Sequence, residues 1–467
     1  MGHRSKRRMF VLGLDCAEPK LVFDLWKDHL PVLKNLAARG CWGKLRSSTP
    51  AITVPAWSSM LSSRDPGVLG VYGFRNRADT SYYRMEIADN SVIHQPRVWD
   101  YLGDAGYDSI LIGIPQTYPV RSVRGRLVSG ILTPDIEKPC TWPQEWRDEI
   151  RRLAPQYDFD ARPFRTERKD WLLEKIHSMT EAHFTVADSI LDSPDWDFFM
   201  LVEIGLDRMH HGFWNYFDPT HFEYEPGNPY EKVIFDYYVW MDTKLGEWLD
   251  RLSPEDVVLV VSDHGAHAVQ GWICINEWLW REGYLTLFEE PQGGVVPFTK
   301  VEVDWSRTRA WGAGGYYGRI FFNIEGREPE GVVKPEMVED LREELCERIA
   351  AVPSHTGEPL DTRVYTPDRI YQQVNGLPPD LLVYFDNLRW RSAGSFGHDG
   401  IYSFKNDTGP DGCNHAEDGL FILYDPAALQ GGREVIGAQL MDVAPWILDT
   451  FGVSRPDSLQ GKSMIFE

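Results

Sequence analysis

Short, almost unbroken apolar runs punctuate the chain: MFVLGL at 9–14, SILIGI at 109–114, DFFMLVE at 197–203, VVLVVS at 257–262, LLVYF at 381–385 and LFILY at 420–424. Runs of this length without polar alternation suit strands buried on both faces, as in a parallel sheet covered by helices. Helical spacing of apolar residues appears between them, in LPVLKNLAARG, MTEAHFTVADSILD, YEKVIFDYYVWMDTKLGEWLDRL, VEDLREELCERIAAV and LMDVAPWILDTFG. The alternation predicts an α/β fold with a doubly wound, mostly parallel sheet flanked by helices. From about 286 to 380 the texture changes to PQGGVVP, the alternating TKVEVDWSRTRAW and the turn-rich GAGGYYGR. This stretch predicts a smaller inserted cap with antiparallel strands, facing the substrate, between core segments 1–285 and 381–467.

In open parallel sheets ligands bind beyond the carboxyl ends of the strands, so the residue following each apolar run carries the most information. Four places carry metal-ligating types: Asp15 after the first run, Asp207 to His211 after DFFMLVE, Asp263 and His264 after VVLVV, and His415 just before LFILY. Each has a plain alternative, since an Asp at a strand exit commonly caps the next turn and a lone His is commonly structural or exposed. His29, His94, His177, His183, His221 and His355 belong with that alternative. Asp207 and His211 are four residues apart, which puts both on one helix face, able to grip a single cation. Gly265 permits a sharp bend from which Asp263 and His264 project together.

The segment TPAITVPAWSSML, residues 49–61, reads as a helix start with Thr53 as N-cap and Pro55 in the first turn. Taken alone, that makes Thr53 a capping residue. A threonine hydroxyl is a poor nucleophile unless a base, a helix N-terminus or a metal stabilises its ionised form. The same position would favour an alkoxide and an incoming anion.

Composition narrows the function. Hydrophobic residues make up 43% and charged residues 25% of 467, a globular balance able to bury a large core. The net charge of -22 disfavours a nucleic-acid polymer as partner, whereas a small anionic substrate would need local cations. The six cysteines are scattered without a CxxC pair, which argues against a thiolate zinc cluster or a disulfide framework. The basic start MGHRSKRR leads into an apolar run that meets Asp15, so it reads as a tail before a buried strand, and Lys6 breaks a myristoylation pattern. No run approaches the roughly 20 apolar residues of a membrane span. A cytoplasmic protein is expected.

Five motifs, VLGLDCAEP, STPAITVPAWSSMLSSRDPGVLGVYGF, LDRMHHGFWNYFDP, VVSDHGAH and NHAEDGLFILYDP, resemble in order and spacing those of the alkaline phosphatase superfamily. The branch they resemble is the type I phosphodiesterase/nucleotide pyrophosphatase group, and the closing MDVAPWILDTFGVSRPDSLQGKSM extends the likeness across nearly the whole chain. The resemblance implies a two-metal hydrolase. One divalent ion would be held by Asp207, His211 and His415 and the other by Asp15, Asp263 and His264, with Thr53 bridging to the second as nucleophile. It further implies a covalent phosphothreonine intermediate, with cations about 4 Å apart assisting an in-line displacement. Nitrogen and oxygen ligands suit zinc, and manganese tolerates the same set.

Within the motifs, spacing selects His211 over its neighbour His210 and His264 over His267. His415 is preferred to His398 as the third imidazole because DGLFILYDP resembles the family's closing strand, which leaves His398 to line the substrate pocket. Departures bear on substrate. Ala56, followed by Trp57, stands where nucleotide pyrophosphatases usually carry an asparagine, and the sulfatase signature is absent. No arginine adjoins Thr53, although Arg46 and Arg64 are near in sequence, which favours phosphodiesters over dianionic monoesters. Among 18 tryptophans, Trp57, Trp214 and Trp311 are candidates to line a pocket. The expected activity is a metal-dependent phosphodiesterase on a small-molecule phosphate ester. The alternatives are a phosphomonoesterase, phosphonate hydrolase or phosphotransferase on the same scaffold, or a binding protein that has lost the chemistry.

Overall fold

The computed structural model describes residues 7–463. The basic tail over residues 1–6, with Lys6, lies outside the described residues, as does Met464 at the end of the closing motif. A nine-stranded sheet forms the larger part of the molecule. Its strands run in the order Arg433–Glu434, Cys41–Arg46, Asp418–Tyr424, Val257–Val261, Met9–Leu14, Phe198–Glu203, Ser109–Ile114, Gly125–Ser129 and Thr141–Trp142. The five strands from Val257–Val261 through Gly125–Ser129 are mutually parallel. Helices on both faces make this the mixed α/β architecture that the pattern of apolar runs predicts.

Strand Met9–Leu14 shows how the two faces are built. Phe10, Leu12 and Leu14 project into a core shared with helices Pro31–Arg39, Lys169–Leu191, Gly205–Phe217 and Val233–Leu249. Met9 and Val11 project the other way, into a core shared with helices Thr53–Ser62, Val98–Asp104 and Val443–Phe451. Gly13 lies where helix Thr53–Ser62 crosses this strand. A Cβ there would come within 2.6 Å of the Trp57 ring and 2.8 Å of Val202, so only glycine admits the helix this close.

Two of the apolar runs depart from expectation. LFILY forms strand Asp418–Tyr424 in the large sheet but pairs antiparallel with both neighbours, Cys41–Arg46 and Val257–Val261. LLVYF forms strand Leu381–Tyr384 not in the large sheet but in a four-stranded antiparallel one, with Ala310–Ala313, Gly318–Phe322 and Arg363–Tyr365. Burial on both faces produces the same unbroken apolar run whatever the direction of the neighbouring strand or the sheet it joins. Helix Val338–Ala350 covers this smaller sheet through Leu341, Leu345 and Ile349. Trp311, a candidate pocket residue, is buried within that second core.

Candidate active site

The polar residues singled out at the strand exits meet at the carboxyl edge of the parallel strands. Asp15 follows Met9–Leu14 directly, and the next residue, Cys16, turns the chain with a φ of 68°, donating its backbone N–H to Asp263 Oδ1 at 3.1 Å. A non-glycine residue in the left-handed region is costly, and here it turns the chain so that Asp15 and Asp263 stand side by side. Asp207 and His211 lie one turn apart on helix Gly205–Phe217, with His211 Nε2 3.4 Å from Asp207 Oδ1. His264 and His415 are brought together by a short antiparallel pair, Gly265–Ala268 with Cys413–Ala416, and their rings stack at 3.8 Å and 16°.

Thr53 lies against this cluster, its Oγ1 3.4 Å from His264 Nε2. It is the first helical residue rather than the expected N-cap. Ile52 has the extended backbone of the cap (φ -137°, ψ 139°), and its carbonyl accepts the first helical bond, from Ala56 at 2.9 Å. The hydroxyl of Thr53 is therefore not engaged in capping. The chain leading into the helix is tied to the cluster at both sides: Ser47 Oγ donates to the Asp263 carbonyl at 2.7 Å, and the Ala51 carbonyl accepts from His415 Nδ1 at 3.0 Å.

All three imidazoles are oriented in the same way. Nδ1 of His415 faces the Ala51 carbonyl, Nδ1 of His264 faces the Gly265 carbonyl at 3.2 Å, and Nδ1 of His211 faces Asp411 Oδ1 at 2.6 Å. A carbonyl or carboxylate can only accept, so Nδ1 carries the proton, and Nε2 of each ring points into the cluster. This arrangement is the one that orients metal-binding histidines. His211 Nε2 and His415 Nε2 are 3.1 Å apart, and His415 Nε2 lies 3.7 Å from Asp207 Oδ1.

The carboxylates complete the pattern. Asp15, Asp207 and Asp263 are each 1% exposed or less, yet Asp15 Oδ1, Asp207 Oδ1 and Asp263 Oδ2 have no hydrogen-bond partner. Burial pushes the Asp15 and Asp263 carboxyls well above their usual range; the charge of Asp207 adds to the rise at Asp15, and that of Asp15 at Asp263. Burial also works against the charge of Asp207, but His211 and Arg208 outweigh it and hold this carboxyl well below the usual value. Burial lowers His264 to about 4 and holds His415 well below its ordinary value, whereas His211, although also buried, is held well above its ordinary value by Asp411. Asp15, Asp263 and His264 offer donor atoms within 4.8 Å of one another, and so do Asp207, His264 and His415. His264 thus joins the two groups into one continuous centre. Unsatisfied buried carboxylate oxygens converging with imidazole lone pairs form a donor set that fits divalent cations.

Several residues at the site were not singled out from sequence. Asp411 is buried and accepts from His211, from Arg165 Nε at 2.8 Å and from Arg391. Arg208 pairs with Asp207 and, at 2.6 Å, with Asp160. Tyr316 stacks on His415 at 4.2 Å and 22°, and the Arg391 guanidinium lies 4.5 Å from the centre of the Tyr316 ring. Tyr316, Arg165, Arg391 and Ile52 are walls of a cavity of about 530 Å³ beside the centre, lined also by residues of strands Ala310–Ala313 and Gly318–Phe322 of the smaller sheet.

The residues expected at the substrate fall elsewhere. Ala56 and Trp57 are fully buried in the core beneath the sheet, and Trp57 Nε1 donates to Asp15 Oδ2 at 2.7 Å. Trp57 therefore supports a carboxylate of the centre and does not line the cavity. Trp214 donates to Asp218 at 3.0 Å and lines a different cavity, of about 770 Å³, which His267 also lines. His398 bonds Ser395, a wall residue, at 3.0 Å and stands apart from the cluster that His415 joins. His210 packs edge-on to Trp214 and over Tyr238.

Residues 9–411 match the family described as type I phosphodiesterase / nucleotide pyrophosphatase. No curated protein matches the sequence. Among solved structures, phosphonoacetate hydrolase from Sinorhizobium meliloti 1021 in complex with phosphonoformate is similar over 96% of each chain, with TM-score 0.53 and 15% identity. Murine ectonucleotide pyrophosphatase/phosphodiesterase 5, as an inactive variant with AMP, is similar over 96% of each chain, with TM-score 0.55 and 12% identity. The human protein of the same name gives 0.55 and 13%, over 98% of this chain and 97% of its own. At these identities the likeness is one of fold.

Proposed function

The chain belongs to the type I phosphodiesterase/nucleotide pyrophosphatase family of hydrolases acting on phosphate-ester bonds, and on that premise we propose a two-cation phosphodiesterase that uses Thr53 as nucleophile. Asp15, Asp263 and His264 would hold one divalent ion and Asp207, His211 and His415 the other. The observation that carries this reading is the convergence of three buried, unpartnered carboxylate oxygens with three imidazole Nε2 atoms. When bound, two such cations neutralise phosphate oxygens and favour ionisation of a hydroxyl. The mixed donor set favours zinc.

The protein's own groups supply the rest. Thr53 opens a ten-residue helix, so the first-turn amides and the helix dipole favour negative charge at Oγ1. Its position 3.4 Å from His264 Nε2 supports a role for the hydroxyl at the cation that His264 would help hold. Trp57 orients Asp15, Asp411 orients His211, and the Ala51 and Gly265 carbonyls orient His415 and His264. Oγ1 would attack phosphorus and displace one alcohol, leaving a phosphothreonine that still carries the other ester group, and water would then release the phosphate monoester and restore the threonine.

A second reading, a phosphomonoesterase or phosphonate hydrolase, is favoured by Arg165 and Arg391, remote in sequence from Thr53 but present in the cavity wall. Both already serve Asp411, which lessens the charge they can offer a dianionic group and keeps the diester reading first. Among the described residues no helix is long and apolar enough to cross a membrane. The cytoplasmic placement rests on six cysteines that form no disulfide, five of them buried.

The test is turnover of an aryl phosphodiester and the matching monoester by zinc-loaded protein, with intact-mass detection of a phosphorylated Thr53. Thr53→Ala should abolish both turnover and the mass adduct while leaving bound zinc in place. Unchanged turnover in that variant would overturn the mechanism, and a large monoester preference would overturn the diester assignment.

A further inference from the structure

The cavity beside the centre carries two guanidinium groups that no acidic side chain among the described residues neutralises. Arg319, in strand Gly318–Phe322, is partly buried in the wall, and its two Nη atoms donate only to backbone carbonyls, of Arg75 at 3.2 Å and Gly314 at 3.1 Å. Arg75 lines the same wall at the mouth and makes no ion pair with the described residues. The two like charges repel: burial draws the pKa of Arg319 down and the charge of Arg75 adds to that effect. Among the described wall residues the acidic one is Asp407, which already accepts from Ser395 Oγ at 2.8 Å. In a chain of net charge -22, acidic partners are plentiful, and nearly every other arginine in this part of the molecule has one.

Holding Arg319 unpaired in a partly buried wall beside the exposed, like-charged Arg75 costs free energy unless a ligand offsets it. The planar fork of arginine suits an oxyanion held by two parallel hydrogen bonds. The same cavity is lined by Phe74, Phe298, Pro297 and Tyr316, surfaces suited to a flat or apolar spacer, and Tyr316 stacks on His415 of the cluster. We infer that Arg319, with Arg75, binds a second anionic group on the substrate, separated from the reacting phosphorus by an apolar or aromatic spacer. The inference rests on the catalytic reading above for where the phosphorus sits. It narrows the substrate class to phosphate esters or phosphonates that end in a carboxylate or a further phosphoryl group.

Binding rather than turnover tests it. Zinc-loaded protein is titrated calorimetrically with phenylphosphonate, 4-carboxyphenylphosphonate and benzene-1,4-diphosphonate, the last two distinguishing a carboxylate from a phosphoryl terminus. The wild type should bind at least one of the doubly anionic ligands about ten- to a hundredfold more tightly than phenylphosphonate, as charge-assisted hydrogen bonds allow. Arg319→Met should bring that ratio towards unity, Arg319→Lys should retain part of it, and Arg75→Gln should lower it by a smaller factor. A wild type without the preference overturns the inference, as does a ratio that survives in folded Arg319→Met. If Arg319→Met does not fold, Arg75→Gln decides, and an unchanged ratio there overturns it. Preference for the doubly anionic ligands without turnover of any aryl ester would sustain this site and overturn the hydrolytic mechanism. Turnover without preference does the reverse.

Discussion

The substitution Asp411→Asn separates the role of orienting a ligand from that of binding the cation. Asp411 is fully buried and its two oxygens receive His211 Nδ1, Arg165 and Arg391. The carboxamide keeps the shape of the carboxylate but loses its charge, and its NH2 can only donate towards groups that themselves donate. Loss of a carboxylate that orients a metal-binding histidine costs about 10- to 100-fold in affinity, or about 1.4–2.7 kcal/mol. Breaking a buried ion pair costs about 3–5 kcal/mol, and the lower end applies because the Arg165 side chain is still 22% exposed. Against a typical stability of about 5–15 kcal/mol the variant should fold but melt earlier. Competition with a chromogenic chelator should show one of two zinc equivalents weakened, the one assigned to Asp207, His211 and His415, while the other keeps its affinity. Two unchanged affinities in a folded variant would refute the orienting role. Equal weakening of both would refute the division into two ligand sets.

Trp57→Phe should give the complementary pattern. It removes the indole donor to Asp15, a hydrogen bond to a charged group worth about 1.5–3 kcal/mol, and the same chelator competition should weaken the equivalent assigned to Asp15, Asp263 and His264. Weakening of the other equivalent instead would contradict the assignment. A pH prediction comes from the buried pair His183 and Glu203, 3.0 Å apart. Burial opposes charge on His183, but Glu203 outweighs it and raises the pKa above the unfolded value near 6.5. The folded state then binds more protons than the unfolded one, so this contribution to stability is complete below about pH 6.5 and is lost as pH rises through the raised value. Denaturant unfolding from pH 6 upward should show the decline in wild type and a shallower one in His183→Gln, and equal slopes would show that the pair is not linked to stability.

The convergence of Asp15, Asp263 and His264 was legible because they lie immediately beyond apolar runs, where burial and period mark the strand end in the sequence itself, and His415 stands just before one. Asp207 and His211 needed only helical spacing. Asp411 was not legible in this way, since it lies four residues before His415 in the turn-rich GPDGCNH, and what makes it important is contact with His211, 200 positions away. The same holds for Arg165, Arg391 and Arg319, which reach the cavity from segments whose convergence no local pattern encodes. Thr53 was placed one position early because a threonine before an apolar turn has the composition of a cap, whereas the backbone bends at Ile52. As a large aromatic beside Thr53, Trp57 reads from sequence alone as a candidate pocket residue. Its other property, an indole N–H that must find an acceptor when buried, is what the fold uses.

The position of Asp411 also couples the two halves of the site. One carboxylate holds a ring of the proposed cation centre and, through Arg165 and Arg391, two cations of the cavity wall. A substrate anion that draws either arginine away removes positive charge from Asp411 and strengthens its hold on His211, so cavity occupancy and the basicity of this proposed metal ligand are linked through a single buried group. Arg319 has no such connection, since its hydrogen bonds end on backbone carbonyls. Substitutions at Arg319 should therefore alter which substrates bind without altering zinc affinity. Substitutions at Arg391 should alter both, which separates recognition from cation binding within one cavity.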